Sequence, residues 1–153
     1  MLPAELLGVR LDPQHQPVVL LRHEDRVLVV AIGPHEAESI HIGLTKHDFG
    51  RPLTHDLICN VLAGLGGELQ SVHIYKLENN TFYAYLNIEQ KSQEGQVEQV
   101  IRVDARPSDS IAVACRTESP IFIAEKVLDE AGQDITIIGP EEEDEHTDEE
   151  MDD

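Results

Sequence analysis

The sequence predicts an α+β protein in which a unit of three strands followed by two helices occurs twice. The core must be built mainly from Val, Ile, Leu and Ala, because 41% of the 153 residues are hydrophobic but only 4% are aromatic and none is Trp. Apolar runs typical of strands occur in two groups of three. Each group is followed by segments with the proline and acid typical of helix starts.

In the first half, residues 4–10, 17–21 and 26–32 are expected to form strands. The second and third are continuous apolar runs, which are typical of strands buried on both faces, and a short polar turn makes them a hairpin. A helix is then predicted from Pro34, since proline suits the first helical position and Glu36 complements the positive end of the helix dipole.

The second helix of this half is predicted to begin with Thr54 as its N-cap. Its apolar residues recur at helical spacing and form one stripe: Leu57, Ile58, Val61, Leu62 and Leu65. Gly66 and Gly67 are expected to end the helix.

The second half repeats this order. Its predicted elements are strands at 68–77, 82–88 and 97–103, a helix from Pro107, a short extended segment at 120–123 and a last helix at 124–131. Pro107 again fits the first helical position, and Asp109 lies in the first turn. The sequence therefore predicts one domain, residues 1–138, with repeats at about 4–66 and 68–132, mixed or antiparallel sheets and short helices packed against them.

The remaining segment, residues 139–153, is predicted to be a disordered acidic tail. Ten of the 30 acidic residues lie in residues 141–153, which leaves 20 acidic against 11 basic residues elsewhere in a chain of formal net charge −19. Such a tail repels itself and has no apolar face, and a basic protein partner could engage it. The acidic balance argues against a large nucleic-acid interface but not against a small acidic site that holds a cation.

The sequence predicts a soluble cytoplasmic protein without a membrane segment, because no stretch of about 18 apolar residues occurs. Cys59 and Cys115 each lie in an apolar helical stretch, which favours buried thiols over a disulfide bond. A homodimer formed through a sheet edge or face is possible from the length of the apolar strands.

Two charged corners at helix starts, residues 51–57 and 104–116, are the candidate functional segments. If they meet, several carboxylates, two guanidinium groups and an imidazole would share one cleft. Carboxylates suit Mg²⁺ or Mn²⁺, and guanidinium groups fit phosphate oxygens, which together suit phosphodiester hydrolysis. The candidate residues are catalytic His55, Asp56, Asp104 and Asp109, phosphate-binding Arg51, Arg106 and Ser108, and metal-binding Glu36, Asp56, Asp104 and Asp109.

The same residues have a purely structural interpretation. Acids such as Asp56 and Asp109 are common in the first turn of a helix, and Arg51 or Arg106 could pair with a neighbouring acid to hold a loop. The alternative function is then a noncatalytic binding or regulatory module whose tail engages a basic partner. A third possibility is a sensor of a small anion or nucleotide that uses Arg51 and Arg106.

The chain resembles the bifunctional nuclease (BFN) domain family. The segments that carry the resemblance are 17–21, 32–33 with 36–37, 51–57 (Arg-Pro-Leu-Thr-His-Asp-Leu), 81–84, 104–112 (Asp-Ala-Arg-Pro-Ser-Asp-Ser-Ile-Ala) and 120–122. Their order and spacing extend over roughly residues 6–131. The resemblance implies a duplicated α+β fold and nuclease activity on DNA or RNA.

Overall fold

The computed structural model describes residues 1–139. The strands are β1 (Leu2–Leu11), β2 (Pro17–His23), β3 (Arg26–Ala31), β4 (Gly67–Glu78), β5 (Thr81–Lys91), β6 (Val97–Ala105), β7 (Ile121–Ile123) and β8 (Gln133–Asp134). The helices are α1 (Pro34–Thr45), α2 (Thr54–Gly64), α3 (Pro107–Thr117) and α4 (Glu125–Ala131), and a 3₁₀ helix (Ile135–Ile138) follows β8. The predicted acidic tail lies outside the described residues apart from Gly139, so its disorder and the domain boundary stay predictions.

The strands form one mixed sheet in the order β6-β5-β4-β7-β1-β2-β3-β8. Each half contributes an antiparallel group of three strands, and the two groups lie on opposite sides of β7. β7 pairs parallel with β4 and antiparallel with β1. The predicted α+β class and the duplication are confirmed, since the order β1-β2-β3-α1-α2 is followed by β4-β5-β6-α3-β7-α4.

The short strand β7 joins the two halves at the centre of the sheet. Beyond its three paired residues, Val72 N donates to Pro120 O at 3.0 Å and Ala124 N donates to Ile74 O at 2.9 Å. The sequence predicted an extended segment here but not its position, because three residues are too few for an alternation pattern to indicate which strands they pair with.

The main core lies between the sheet and the helices. Its fully buried residues come from both halves and include Val19, Leu21, Leu28, Ile40, Val72, Ile74, Ile111, Ile123 and Leu128. Helices α1 and α3, which occupy equivalent places in the two halves, pack against each other. This packing brings their N-terminal ends together.

The helix starts follow the prediction at Pro34 and Pro107, which are the first residues of α1 and α3. The predicted cap of α2 is wrong by one residue: Leu53 is the N-cap, and Thr54 is the first helical residue. The side chain that stabilises this start is Asp56, whose Oδ2 accepts a hydrogen bond from Leu53 N at 2.9 Å.

The apolar stripe of α2 is only partly buried. Ile58 and Leu62 pack against the core, but Leu57, Val61 and Leu65 are at least half exposed. The stripe is wider than the contact of α2 with α3 and β4. Helical periodicity therefore identified the helix but overestimated the part of its surface that the core covers.

Both cysteine thiols are free. Burial raises the pKa of Cys115 to about 11 and also raises the pKa of Cys59. No helix among residues 1–139 is long and apolar enough to cross a membrane.

Candidate active site

The N-terminal turns of α1 and α3 meet at Arg106. Glu36 and Asp109 hold equivalent positions, the third residue of their helices, and both bind the Arg106 guanidinium. Arg106 donates from Nε to Asp109 Oδ2 at 2.9 Å and from Nη2 to Glu36 Oε1 at 3.3 Å. Because the Arg106 side chain is 65% exposed, its charge is accessible from solvent.

The imidazole of His55 joins the first turn of α2 to this pair of helices. Its Nε2 lies 2.9 Å from Asp109 Oδ1, and its Nδ1 lies 2.6 Å from Ser39 Oγ on α1. Only 11% of the His55 side chain is exposed, so these contacts fix the ring on both sides. A hydroxyl, an imidazole and a carboxylate therefore form one hydrogen-bonded chain across three helices.

The charge of Asp109 determines the direction of these hydrogen bonds. Burial alone would raise the pKa of Asp109, but hydrogen bonds from Arg106 and His55 together lower it. An ionised carboxylate only accepts, so Nε2 of His55 donates to it. In a neutral imidazole Nδ1 is then the acceptor, and the Ser39 hydroxyl donates to it.

Arg116, near the end of α3, contacts the site from its buried side. Its side chain is 8% exposed, and its Nε donates to Asp56 Oδ1 at 2.7 Å. Its Nη1 donates to Ser39 O at 3.2 Å and to Ala112 O at 2.8 Å, while Nη2 lies 3.3 Å from Ser39 Oγ. The guanidinium therefore holds Ser39 by both its backbone and its hydroxyl.

The pKa of Asp56 is lowered, first by the hydrogen bond from Leu53 N and then by Arg116. The two predicted corners thus do meet, in what we call the helix-start network. Its members are Glu36, Ser39, His55, Asp56, Arg106, Asp109 and Arg116.

Two cavities adjoin the network. A cavity of about 410 Å³ lies between α1 and the start of α2, and its lining includes Glu36, Ser39 and His55. A second cavity of about 320 Å³ is lined by Arg51 together with Asp56 and Arg116. Solvent in the first cavity reaches the Ser39 hydroxyl and the His55 imidazole. In the second cavity, Arg51 lies near the buried Arg116.

Three predicted site residues are not members of the network: Arg51, which lines the second cavity, Asp104 and Ser108. Asp104 lies on β6 opposite Tyr85, exposed, on the face of the sheet opposite the core. Ser108 is 6% exposed in the first turn of α3, which leaves little of it open to a phosphate. Their catalytic, metal-binding and phosphate-binding roles stay predictions.

Sequence reasoning missed Ser39 and Arg116. Helical spacing carried a signal for both, because Ser39 follows Glu36 by three residues and Arg116 follows Asp109 by seven, which places each on the face of its helix that carries the acid. Nothing in the sequence indicated that these two faces contact each other.

The carboxylates do not fit a resident divalent cation as they stand. Within residues 1–139, no three His, Cys, Asp or Glu side chains are grouped so as to hold one metal ion. Glu36 and Asp109 share a partner, but that partner is the Arg106 guanidinium, which binds both of them. A cation would have to replace that guanidinium.

A scan against protein-family models matches residues 18–136 to the bifunctional nuclease domain. The chain belongs to the bifunctional nuclease domain family. The matched region includes the whole helix-start network, from Glu36 to Arg116, so the residues that meet in this cleft all lie within the family's domain.

Relatives of this bifunctional nuclease domain chain include an uncharacterized protein of Mycobacterium tuberculosis, found in two strains. It is 42% identical over 143 residues, which are 92% of this chain and 79% of the relative. Bifunctional nuclease 1 of Arabidopsis thaliana is 27% identical over 115 residues, which are 73% of this chain and 34% of that protein.

Proposed function

We propose that this protein hydrolyses phosphodiester bonds of DNA or RNA. The observation that carries the proposal is the position of His55, whose two ring nitrogens contact Ser39 and Asp109 beside an open cavity and the exposed Arg106. Membership in the bifunctional nuclease domain family and the similarity to a protein named bifunctional nuclease support nucleic acid as the substrate.

The proposed nucleophile is Ser39. Its hydroxyl donates to His55 Nδ1, so the imidazole can accept the proton as Oγ attacks phosphorus. Asp109 then stabilises the imidazolium that forms, since its carboxylate already accepts from Nε2. Arg116 Nη2, 3.3 Å from Oγ, favours the developing negative charge on that oxygen.

Arginine supplies the positive charge that a phosphodiester needs. In this proposal Arg106, which is exposed and next to the His55–Asp109 pair, binds a non-bridging phosphate oxygen through its guanidinium. Arg51, which lines the neighbouring cavity, is proposed to bind a second phosphate of the strand. These are the roles that the sequence predicted for the two arginines.

The proton balance closes within the Ser39–His55 pair. Attack by Oγ breaks the bond between phosphorus and the leaving oxygen, which takes the proton from His55. Water then attacks the phosphoserine and gives a proton to the imidazole, and Ser39 Oγ leaves and takes that proton back. The products are an alcohol and a phosphate monoester, and the enzyme is regenerated.

The binding of Mg²⁺ or Mn²⁺ stays a prediction, since carboxylates predicted as its ligands contact Arg106 and His55 in this structure. A cleavage assay on labelled single-stranded and duplex DNA and RNA, each with EDTA, Mg²⁺ or Mn²⁺, tests both proposals. We expect cleavage that His55→Ala lowers by about 10²- to 10⁴-fold. His41→Ala is the matched control, because His41 is exposed on α1 outside the network.

The variants separate the steps. Ser39→Ala should lose as much activity as His55→Ala; if Ser39→Ala keeps the wild-type rate, water is the nucleophile and the covalent step is wrong. Equal cleavage by wild type and His55→Ala would mean a contaminating nuclease and would reject the proposed function.

A noncatalytic module is the second candidate, and one observation favours it. Glu36, Asp56 and Asp109 each already bind an arginine, so the network also holds three helix starts together. In that case Asp109→Asn lowers the melting temperature, Mg²⁺ does not raise it, and a basic protein binds only chains that retain residues 139–153.

A further inference from the structure

Aromatic side chains form a second feature of the sheet, on the face opposite the core. His73, Tyr75, Tyr83, Tyr85 and Phe122, on β4, β5 and β7, make up what we call the aromatic face. The neighbouring strand residues alternate into the core against the helices, which places the aromatic rings on the other side. All three tyrosines of the chain lie here.

The rings are arranged as a continuous surface across the strands. His73 stacks on Tyr85 at 4.8 Å between centroids and on Phe122 at 5.3 Å, with planes inclined by 11° and 19°. Tyr75 extends the surface at 5.3 Å from Tyr85 and 6.5 Å from Tyr83. Because β4 and β6 flank β5, His73 and Arg102 cover the two faces of Tyr85, and the ring surface left free for a base belongs to the exposed Tyr75 and the half-buried Tyr83.

His73 lies at the centre of the aromatic face as an uncharged ring. Its Nε2 contacts Ser71 Oγ at 2.7 Å, and its Nδ1 is buried without a hydrogen-bond partner among the described residues. Burial, and then Arg102, lowers the pKa of His73, so the ring is neutral at neutral pH. It serves as a flat support for Tyr85.

Cationic groups lie over two of the tyrosines. Arg102 Cζ is 4.8 Å from the Tyr85 centroid, and Arg102 forms no ion pair with any residue of the described part of the chain. Lys76 Nζ is 4.8 Å from the Tyr83 centroid and also pairs with Glu78. Positive charge beside the half-buried Tyr83 and Tyr85 and the exposed Tyr75 complements a strand of unpaired bases and phosphates.

We propose that the aromatic face binds single-stranded nucleic acid, with bases stacked on Tyr75 and Tyr83 and a phosphate bound by Arg102. The choice of nucleic acid as occupant rests on the proposed function. A single strand is required because the bases of a duplex stack on one another and leave no π-face free. An acidic protein gains little affinity from contacts with many phosphates, and base stacking supplies affinity that does not depend on such contacts.

The position of the face relative to the cleft supports this role. Asp104 lies opposite Tyr85 in the register of β5 and β6, and Arg106 is the residue directly after β6. A nucleic-acid strand bound on the tyrosines therefore lies near the end of β6, where Arg106 begins the cleft. The Asp104 carboxylate, next to the stacked bases, can accept hydrogen bonds from their exocyclic amino groups. This assigns Asp104 to binding instead of to the reacting atoms.

Fluorescence anisotropy with a labelled single-stranded 12-mer and the corresponding duplex, in EDTA, tests the proposal on the full chain. Tyr75 is 39% exposed, so Tyr75→Ala should fold, and it should weaken single-strand binding about tenfold. Tyr75→Phe keeps the ring and should bind like the wild type. Leu11→Ala, at an exposed site on β1, is the matched control.

A second variant and the salt dependence of binding also test the proposal. Arg102→Gln should weaken binding, and the salt dependence should be shallow, with a slope of about −1.4 if two cations contact phosphates. Wild-type affinity in both Tyr75→Ala and Arg102→Gln, or duplex binding as tight as single-strand binding, would overturn the proposal. A complete absence of oligonucleotide binding would do the same and point to another occupant.

Kinetics keep this proposal distinguishable from the proposed function. Tyr75→Ala should raise KM and leave kcat unchanged, whereas His55→Ala should lower kcat and leave single-strand affinity unchanged. Cleavage with an unaltered KM in Tyr75→Ala rejects the aromatic face alone. Single-strand binding that depends on Tyr75, without cleavage by any chain, rejects hydrolysis alone.

Discussion

His55 and Asp109 are 54 positions apart, in opposite halves of the duplicated chain, yet His55 Nε2 lies 2.9 Å from Asp109 Oδ1. The contact exists only because α1 and α3 pack together and bring the start of α2 against them. The candidate site is therefore a product of the duplication: neither half contains both the imidazole and the carboxylate that binds it.

Acid should weaken the fold partly through Asp109. Its pKa is lower in the folded chain than in an unfolded one, so the carboxylate contributes stability above the unfolded pKa and loses it as the pH falls through the folded value. Urea unfolding between about pH 6 and pH 2 should show a fall that is smaller in Asp109→Asn. If the free energy of unfolding fell equally with pH in the two proteins, Asp109 would not contribute to the loss of stability in acid.

Arg116 should be the residue of the helix-start network whose loss costs the most stability. Arg116→Met leaves Asp56 without its buried partner and removes the side-chain donor that the Ser39 and Ala112 carbonyls accept in addition to their helix hydrogen bonds. We expect the free energy of unfolding to fall by about 3–5 kcal/mol, measured by urea denaturation.

The matched control for that change is Arg26→Met, which removes the ion pair of Arg26 with the exposed Asp129. Surface pairs of this kind contribute about 0–1 kcal/mol. An equal loss in the two variants would mean that burial of Arg116 does not determine its contribution.

Gly43 should be needed where α1 passes α3. A Cβ at this position would lie 2.9 Å from Arg116 Nη1, which is held by hydrogen bonds, and 3.1 Å from Cys115 Cβ. Gly43→Ala should therefore lower the free energy of unfolding by about 1–3 kcal/mol. Gly64→Ala in α2 has nothing within 4 Å and should be neutral or stabilising by up to about 1 kcal/mol. A stabilising Gly43→Ala would show that the helices can separate without cost.

The thiol of Cys115 should react slowly in the folded protein. With a pKa of about 11, only about one thiol in a thousand is ionised at pH 8. In the Cys59→Ser background, alkylation by iodoacetamide should be slow in buffer and fast in urea. Fast alkylation of the folded chain would contradict the burial of this residue.

Local signals predicted much of the fold and part of the candidate site. Pro34 and Pro107 indicated the helix starts because the rule depends only on the first turn, and the same rule placed Glu36 and Asp109 at equivalent positions. The order of strands in the sheet was not predictable, because the position of β7 depends on pairing that three residues do not encode.

What the sequence did not indicate has the same origin. Asp104 and Arg106 are close in sequence, but β6 ends at Ala105, so Asp104 stays on the sheet face of Tyr85 whereas Arg106 is the N-cap of α3. Ser39 shares the helical face of Glu36, but nothing in the sequence indicated that this face contacts α3. The site depends on contacts between helices, whereas the sequence mainly indicates what each helix does alone.

The central claim is that His55 and Asp109 act as one catalytic unit, and a double-mutant cycle on phosphodiester cleavage tests it most directly. The rate on a single-stranded oligonucleotide is compared for wild type, His55→Ala, Asp109→Asn and the double variant, after melting curves confirm that all four fold. We predict that each single change lowers kcat by about 10²- to 10⁴-fold and that the double variant is no slower than the worse single one. Losses that multiply, or four equal rates, would contradict the account.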